Sequence, residues 1–307
     1  MEKFKFTIDE DYDGIRLDKT ISDLTGPLIS RSFLQKLIKD GAVFVNGSPK
    51  KASYNVKCED EIVFEVPDAS ECNIVAENIP LDILYEDSDV IVINKPKGMV
   101  VHPANGHYTG TLVNALLYHC KDSLSGINGV MRPGIVHRID MNTTGSIIAC
   151  KNDAAHLSIA AQLKEHSINR TYRAICYGTF DETEITVNAP IGRSTSDRKK
   201  MAVTDSGKKA VTHIKVIEEF KDFSYIECKL ETGRTHQIRV HLAHIGHPLL
   251  GDDVYSNRKT KYKTNGQCLH AYKLGFMHPA TGEYVESIAP IPSYLNDLLI
   301  EFRAGFW

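Results

Sequence analysis

One short stretch of the sequence, GIVHRIDMNTTG, gathers side chains that can exchange protons in a loop between two apolar runs. It contains His137, Arg138 and Asp140, followed by two threonines and a glycine. Reactive side chains on a loop held by rigid elements are a common setting for catalysis. We therefore take Asp140 as a candidate catalytic carboxylate.

A second stretch, LETGRTHQIRVHLAHIGHPLLGDDVY, begins where a predicted strand gives way to a helix, which suits Arg234 as a fixed cation facing a pocket. The histidines in this stretch show no H-E-x-x-H pattern, and no carboxylate is placed to complete a common ligand set. We therefore expect neutral imidazoles and no metal at His236, His241, His244 and His247.

Several enzyme signatures are missing from the sequence. It has no G-x-S-x-G, no G-x-x-x-x-G-K-[ST], and no G-x-G-x-x-G opening a helix, which argues against hydrolase triads and nucleotide cofactors. The seven cysteines include no C-x-x-C pair, so neither a disulfide framework nor a zinc ribbon is expected.

The composition is that of an ordinary globular protein, with 307 residues, 42% hydrophobic and 24% charged. The net charge of −3 conceals two basic regions, +5 over residues 16–57 and +7 over residues 193–273. Local basic fields of this kind are typical of polyanion binding. No apolar run approaches the ~20 residues of a membrane span, and the N-terminus lacks a signal-peptide core. We expect a cytoplasmic protein.

The sequence predicts a small helix-plus-hairpin module over residues 12–67. Residues 31–40 carry apolar side chains at helical spacing behind a capping serine, Ser30 or Ser32. Residues 42–45 and 61–66 are typical of strands, and Asn46-Gly47 of a tight hairpin turn. Residues 68–80 are acidic and poor in pattern, and we interpret them as a linker.

Residues 81–307 predict a second domain of the α+β class, with a large mixed, mainly antiparallel sheet flanked by helices. The predicted strands cover residues 81–85, 90–93, 171–177, 211–217 and 225–230, and the predicted helices cover residues 111–119, 153–167 and 235–245.

The N-terminal segments RLDKTISDLTG, SRSFLQKLIKDGAVFVNG and EDEIVFEVP resemble the alpha-L RNA-binding module first known from a small-subunit ribosomal protein. In that family the basic helix and the hairpin lie against RNA backbone. The resemblance implies phosphate contacts by Arg31, Lys36, Lys39, Lys50 and Lys51.

Five later blocks resemble successive motifs of the RluA family of RNA pseudouridine synthases: INKPKGMVVHP, GIVHRIDMNTTG, NRTYRAICYG, ETGRTHQIRVHLAHIGHPLLGDDVY and CLHAYKLGFMHP. With the N-terminal module, the chain resembles the RluD-like and RluC-like branch, which modifies large-subunit ribosomal RNA. The family's usual H-R-L-D-x-x-T-S-G-L differs here at Ile139, Thr144 and Ser146, while Asp140 is kept. The resemblance implies the pseudouridine synthase fold.

The resemblance also implies roles for individual residues. Asp140 would be the catalytic aspartate, Tyr172 would lie against the target uracil, and Arg234 would pair with Asp140. We further expect Arg138 to fill the space vacated by the base or to hold the adjacent phosphate, and Arg239 to extend the RNA track.

Pseudouridylation moves the ribose from a nitrogen to a carbon of the same uracil, so nothing is added or removed. We therefore expect no cofactor and no metal, and an enzyme that acts on RNA as a monomer without contacting a membrane. Asp140 either attacks the anomeric carbon or acts as a base at the ribose in a glycal route, and the sequence leaves both open.

Two rival functions stay open at this point. One is a binding protein with a degenerate synthase domain that remodels ribosomal RNA without modifying it. The other is a metal-dependent nuclease that uses the histidine cluster. The sequence also does not separate ribosomal from transfer RNA as the substrate.

Overall fold

The computed structural model describes residues 2–26, 31–66, 74–104, 106–127, 132–197 and 200–306. The chain divides into two compact units, Met1–Cys72 and Asn73–Trp307. Of the predicted linker over residues 68–80, the part up to residue 73 lies outside the described ranges, as does the capping candidate Ser30. In those ranges no helix is long and apolar enough to cross a membrane.

The first unit is a four-stranded sheet, in the order β1-β4-β2-β3, with two helices. Its elements are β1 (Glu2–Thr7), α1 (Leu17–Thr25), α2 (Arg31–Lys39), β2 (Val43–Val45), β3 (Ser48–Pro49) and β4 (Glu61–Val66).

The predicted hairpin turn lies between β2 and β3, where Asn46 and Gly47 both have positive φ. Asn46 also tethers the hairpin, since its amide donates to Asp60 and its side-chain carbonyl accepts from the Glu61 N–H. Apolar side chains of both helices and three strands form one core. Its fully buried members include Leu17, Ile21, Leu34, Val43, Val45 and Ile62.

The second unit contains a nine-stranded sheet, a two-stranded ribbon and four helices among its described residues. The helices are α3 (Leu112–Cys120), α4 (Asp153–Lys164), α5 (Gln237–His244) and α6 (Ser293–Arg303). The strands are β5 (Ile83–Glu86), β6 (Val90–Lys95), β7 (Thr144–Cys150), β8 (Asn169–Tyr177), β9 (Glu184–Asn188), β10 (Ile191–Arg193), β11 (Met201–Val203), β12 (Val211–Glu219), β13 (Phe223–Leu230), β14 (Leu269–Met277) and β15 (Tyr284–Ile288).

The large sheet runs β5-β6-β7-β14-β8-β13-β12-β9, and β15 also pairs with β14. Its pairings are antiparallel except between β7 and β14, which run parallel with His270 opposite Thr144 and Ala271 opposite Gly145. This arrangement confirms the predicted α+β class with a mixed, mainly antiparallel sheet.

Two of the helices bring the sheet's apolar surface together around Tyr172. Side chains of α3 pack with β6 and β7, and side chains of α5 pack with β8 and β13. Tyr172 packs against both clusters, so its ring lies where they meet. Helix α3 begins at a capping box, in which Thr111 and Asn114 satisfy each other's backbone N–H groups.

Candidate active site

Asp140 lies in the turn that leads into β7, at a point where the backbone is fixed from two sides. Its carbonyl accepts a hydrogen bond of 3.0 Å from the Thr143 N–H. The next carbonyl, that of Met141, accepts from the Gly98 N–H at 2.9 Å and from the Lys95 ammonium at 3.0 Å. The carboxylate of Asp140 is therefore carried by a loop whose backbone is hydrogen-bonded at two successive carbonyls.

Lys95, at the end of β6, is fully buried and supports this loop from beneath. Its ammonium donates to the carbonyls of Pro96, Met99 and Met141, at 2.8, 2.9 and 3.0 Å. Burial lowers the pKa of Lys95 to about 7, although the charge of Asp140 opposes this shift. Three acceptors match the three donors of an ammonium group, so Lys95 holds the end of β6 and the loop of Asp140 together.

Arg239 is the cation that pairs with Asp140. Its Nη1 donates to Oδ2 of Asp140 at 2.9 Å, while its Nε and Nη2 donate to the two carboxylate oxygens of Asp252 at 2.7 and 2.9 Å. Asp252 is itself buried, and it accepts further hydrogen bonds from the Val254 and Tyr255 N–H groups. The planar guanidinium thus uses two of its edges to link two carboxylates.

The charges in this chain of residues stabilise one another. Burial disfavours the charge on Arg239, but hydrogen bonds and the charges of Asp252 and Asp140 raise its pKa above the ordinary value. Burial likewise opposes ionisation of Asp252, yet the hydrogen bonds from Arg239 and the loop amides lower its pKa. Arg239 therefore stays charged beside Asp140.

The predicted pairing of Arg234 with Asp140 is wrong in this structure. The Nε of Arg234 donates to the carbonyl of Lys209 at 2.9 Å, and its side chain lines the cavity beside Asp140. The predicted place of Arg239 on an RNA-facing track is also wrong, because its side chain is only 6% exposed. The first six residues of α5 are buried, so Arg239 points into the protein. Arg234 lies before the first residue of the helix.

His236 is a second neighbour of Asp140 that the sequence did not assign to the site. Its Nε2 lies 3.5 Å from Oδ1 of Asp140, and its Nδ1 bonds the Tyr255 hydroxyl at 2.7 Å. Burial lowers the pKa of His236, against the attraction of Asp140, so the imidazole is neutral at pH 7. The Tyr255 oxygen also accepts from the Met201 N–H. The tautomer in which the Tyr255 hydroxyl donates to Nδ1 places the proton of His236 on Nε2, towards Asp140.

The residue at position 236 has a backbone conformation that is unusual for histidine. It adopts the left-handed region, with φ 57° and ψ 21°, immediately before α5. A non-glycine residue in that region costs about 1–3 kcal/mol and is found preferentially at functional sites. Its ring bonds the Tyr255 hydroxyl and lies 3.5 Å from Asp140 in this conformation.

Tyr172 and Asp140 line the same two adjoining cavities, one of about 60 Å³ and one of about 470 Å³. The structure thus brings together Asp140 and Tyr172, and Arg234, the third residue that the sequence placed at the site, lines both cavities as well. Burial raises the pKa of Tyr172, while the charge of Arg170 works in the opposite direction. The phenol is protonated at neutral pH, and its ring offers a flat apolar wall to the cavity.

The residues predicted to contact RNA fall into three groups. Arg138 is exposed and lines both cavities with Asp140. In the first unit, Lys39 and Lys51 are exposed, and Lys50 is half-buried with its ammonium 5.3 Å from the centre of the Tyr54 ring. The side chains of Arg31 and Lys36 lie outside the described part of the structure.

The four histidines considered as metal ligands lie in different surroundings and do not form one group. His241 is buried between Thr212 and the Ala189 carbonyl, and His247 stacks on Phe180. Among the described residues, one group has ligand atoms close enough for a metal, namely Asp87, Asp89 and His278. It does not include any cavity-lining residue of the Asp140 site.

Sequence reasoning missed Lys95, His236, Asp252 and Tyr255, although the sequence holds a signal for some of them. Arg239 lies in the apolar run QIRVHLA, and a guanidinium on a buried helix face needs a carboxylate partner. The following GDDVY segment supplies one in Asp252. The arginine that pairs with Asp140 is the buried one, Arg239. The arginine near the strand–helix junction, Arg234, does not pair with it.

A mixed, mainly antiparallel sheet of this kind is shared with one class of RNA-modifying enzyme. Residues 89–244 match the RNA pseudouridylate synthase family, and residues 15–62 match the S4 domain. The chain belongs to the RNA pseudouridylate synthase family, in the RluA group that carries an N-terminal S4 domain, and it is an isomerase that acts on RNA.

Similar proteins cover the chain over nearly its whole length. An uncharacterised RNA pseudouridine synthase of Bacillus subtilis is 51% identical over 303 residues, which is 99% of each chain. The ribosomal large subunit pseudouridine synthase D of Zymomonas mobilis is 46% identical and covers 97% of this chain and 96% of its own. Among solved structures, human RNA pseudouridylate synthase domain containing 1 matches with a TM-score of 0.57 and 25% identity, over 74% of this chain and 96% of its own.

Proposed function

We propose that this enzyme converts specific uridines of large-subunit ribosomal RNA to pseudouridine, with Asp140 as the catalytic aspartate. One observation carries the catalytic assignment. The carboxylate of Asp140 is held by the buried guanidinium of Arg239 at the wall of a cavity that it shares with Tyr172. The reaction needs a single ionised carboxylate in a site that excludes water, next to a surface that can retain the base.

The chemistry proceeds in three stages at one base. The bond from ribose C1′ to uracil N1 breaks, the uracil turns while it is still bound, and C5 then forms the new bond to C1′. The proton on C5 is lost and N1 gains a proton, so the overall composition is unchanged. Asp140 supports either route, by adding to C1′ or by removing a ribose proton to give a glycal.

The partners of Asp140 favour this role because one of them is a fixed positive charge and neither supplies a proton to the carboxylate. Arg239 carries a permanent charge, and the neutral His236 directs its Nε2–H towards the second carboxylate oxygen. Neither group donates a labile proton at neutral pH. The oxygen facing His236 is bound weakly, at 3.5 Å, and is the one we assign to the attack or the proton removal.

The target base must leave its stack before the ribose can reach Asp140, which costs a few kcal/mol. We assign Tyr172 as the flat surface that receives the uracil, since its ring is packed between two clusters and faces the cavity. We assign Arg138, which is exposed two residues before Asp140, to the gap left in the RNA or to the adjacent phosphate. Arg234 lines the same cavity and contacts RNA in this proposal.

The names of similar proteins support large-subunit ribosomal RNA as the substrate, since several are ribosomal large subunit pseudouridine synthases D. The S4 domain, with exposed Lys39 and Lys51, supports a second RNA contact. We propose that the enzyme acts as a monomer, in the cytoplasm where this RNA is assembled, and that the reaction needs neither metal nor cofactor because it is an internal rearrangement.

The test is conversion of large-subunit ribosomal RNA transcribed with uridine tritiated at C5. Purified enzyme should release tritium to water in buffer that contains chelator and no cofactor. The same positions should lack pseudouridine-specific chemical adducts in ribosomal RNA from a strain without the gene. Conversion of transfer RNA alone would overturn the substrate assignment, and an absence of tritium release from both RNAs would favour the non-catalytic binding protein.

A further inference from the structure

The larger cavity beside Asp140 has a strong excess of positive charge. Its volume is about 470 Å³, and Asp140, already paired with Arg239, is its one carboxylate among the described lining residues. Its cations come from four different elements and loops: Arg138, Lys164, Arg170 and Arg234. A concave site of this composition concentrates anions.

Arg170 is the least exposed of these cations, and it has no carboxylate partner. It is the second residue of β8, is 7% exposed, and its Nε and Nη2 have no hydrogen-bond partner among the described residues. Within those residues no carboxylate lies within ion-pair distance of its guanidinium. The contrast with Arg239 is clear, since that equally buried guanidinium is held by two aspartates.

An unpaired buried cation is costly for a folded protein, by several kcal/mol in ordinary cases. Burial indeed lowers the pKa of Arg170 below its ordinary value. An unpaired guanidinium in a cavity wall is explained if the cavity binds an anionic ligand. The stability of the folded chain does not explain it.

The position of the guanidinium is fixed by its neighbours. Arg170 and Tyr172 are two residues apart on β8, so their side chains leave the same face of the sheet and line the same cavity. On the other side, a Cβ on Gly233 would collide with Nη1 of Arg170. The glycine therefore lets the chain before α5 close over the guanidinium.

Building on the proposed function, we propose that this cavity binds a phosphodiester group of the RNA strand next to the target uridine, with Arg170 as its buried anchor. RNA carries one such anion for each nucleotide, and the cavity adjoins the place where the uracil would lie against Tyr172. A guanidinium binds phosphate oxygens through paired N–H groups, which fixes position as well as supplying affinity. Arg170 thereby sets the register of the strand at Asp140.

The first experiment replaces single phosphates by neutral methylphosphonates in the shortest large-subunit ribosomal RNA fragment that the enzyme converts. One linkage next to the converted uridine should lower the affinity of wild-type protein by about 10- to 100-fold. Arg170→Met should bind the unmodified fragment with a similar loss, and should lose nothing further at that linkage. The methylphosphonate and Arg170→Met would then remove the same contact, the one between Arg170 and that phosphate.

Lys229→Met provides the matched control. Lys229 is an exposed cation on β13 in the neighbouring groove, which does not include Arg170. This variant should keep the full sensitivity to the methylphosphonate. If Arg170→Met stays as sensitive as wild type at every linkage, the proposal is overturned. If Arg170→Met changes the turnover but stays as sensitive to the methylphosphonate as wild type, Arg170 would act by positioning Tyr172 and the proposal would also be overturned.

The second experiment needs no RNA. Because Arg170 is an unpaired charge, Arg170→Met should unfold at the same temperature as wild type or at a higher one, whereas a structural role requires a lower one. Inorganic phosphate should raise the Tm of wild type more than that of Arg170→Met. Equal phosphate protection in both proteins would contradict the anion site.

Gly233→Ala offers a second way to disturb the guanidinium while its charge is retained. It should reduce both the methylphosphonate effect and the phosphate protection, and it keeps the proposal testable should Arg170→Met fail to fold. The two experiments also separate this proposal from the proposed function. Phosphate protection that depends on Arg170, in a protein that converts no RNA, would leave the anion site standing and remove the assigned reaction.

Discussion

Arg239 is the residue that holds the carboxylate of Asp140 most directly. It contributes three hydrogen bonds in two directions, one to Asp140 and two to Asp252. A lysine in its place keeps the charge, but its single ammonium cannot span both carboxylates with the same geometry. Asp252 would then compete with Asp140 for one donor.

We therefore expect Arg239→Lys to reduce kcat by about 100-fold or more while RNA affinity stays nearly unchanged, since the loss is one of positioning. Arg234→Lys is the matched control, because Arg234 bonds a backbone carbonyl instead of Asp140. It should affect RNA affinity more than kcat. Single-turnover kinetics on the same RNA separate the two variants, and the reverse ranking would restore the pairing of Arg234 with Asp140.

At the scale of single residues, the sequence predicted which side chains meet at the cavity better than it predicted their contacts. Asp140 and Tyr172 lie in motifs that resemble those of the RluA family, and the structure brings both residues to one cavity. The partner cation was misassigned because the motif offers two arginines, and only the depth of each in the fold distinguishes them. His236 escaped prediction because its role depends on a left-handed backbone that sequence periodicity does not reveal.

The elements were predictable where local chemistry defines their ends. Helix α3 spans Leu112–Cys120, one residue later than the predicted 111–119, because Thr111 caps it. The hairpin turns at Asn46-Gly47, as predicted. Helix α4 ends at Lys164, three residues earlier than expected, and His166 just beyond it has positive φ. The parallel pairing of β7 with β14 was not predicted, because it joins segments more than a hundred residues apart that carry no local signal.

That parallel pairing leaves no room for a side chain at Gly145, in the strand that follows Asp140. Gly145 lies on β7 with φ 103°, and a Cβ there would come within 2.8 Å of the carbonyl carbon of Ala271 on β14. Backbone cannot yield as a flexible side chain can. We expect Gly145→Ala to lower the free energy of unfolding by about 3–5 kcal/mol, from backbone strain and overpacking together.

Gly98→Ala isolates the strain from the collision. Gly98 also has positive φ, at 82°, but a Cβ there would meet nothing within 4 Å. Its cost should be about 1–2 kcal/mol. Urea unfolding of both variants measures the difference, and equal costs would show that β14 does not approach Gly145 as closely as the structure indicates.

The whole second unit should lose stability in mild acid because several histidines are buried as neutral rings. Burial lowers the pKa of His102 and His270 to about 4 and that of His137 to about 3. Below pH 6.5 the unfolded chain binds protons at these rings and the folded chain does not. Stability is therefore complete above about pH 6.5 and is lost as the pH falls towards 4.

His270→Gln checks this linkage at one ring. Glutamine can retain a donor to the Ala289 carbonyl and an acceptor for the Thr144 hydroxyl, but it does not titrate. Between pH 7 and pH 5 the variant should lose about 1–2 kcal/mol less of its unfolding free energy than wild type. Parallel curves for the two proteins in urea titrations would show that His270 is protonated equally in both states.

At the scale of the whole molecule, we expect the first unit to add RNA affinity to the second unit. Removal of residues 1–72 should leave the second unit folded, because each unit has its own core. RNA affinity should fall and its dependence on salt should flatten, since the +5 region supplies phosphate contacts. Affinities across a KCl series measure this, and an unchanged salt slope would argue against RNA contact by the first unit.

The central claim is that the charge of Asp140 drives an isomerisation, and Asp140→Asn tests it most directly. Asparagine keeps the size of the side chain and can still accept from Arg239, so RNA binding should survive. Because uridine and pseudouridine have equal mass, the measurement is tritium release from C5 of uracil in single-turnover experiments with wild type and variant. We predict a loss of about 10⁴-fold or more at nearly unchanged affinity. Release at the wild-type rate would contradict the account.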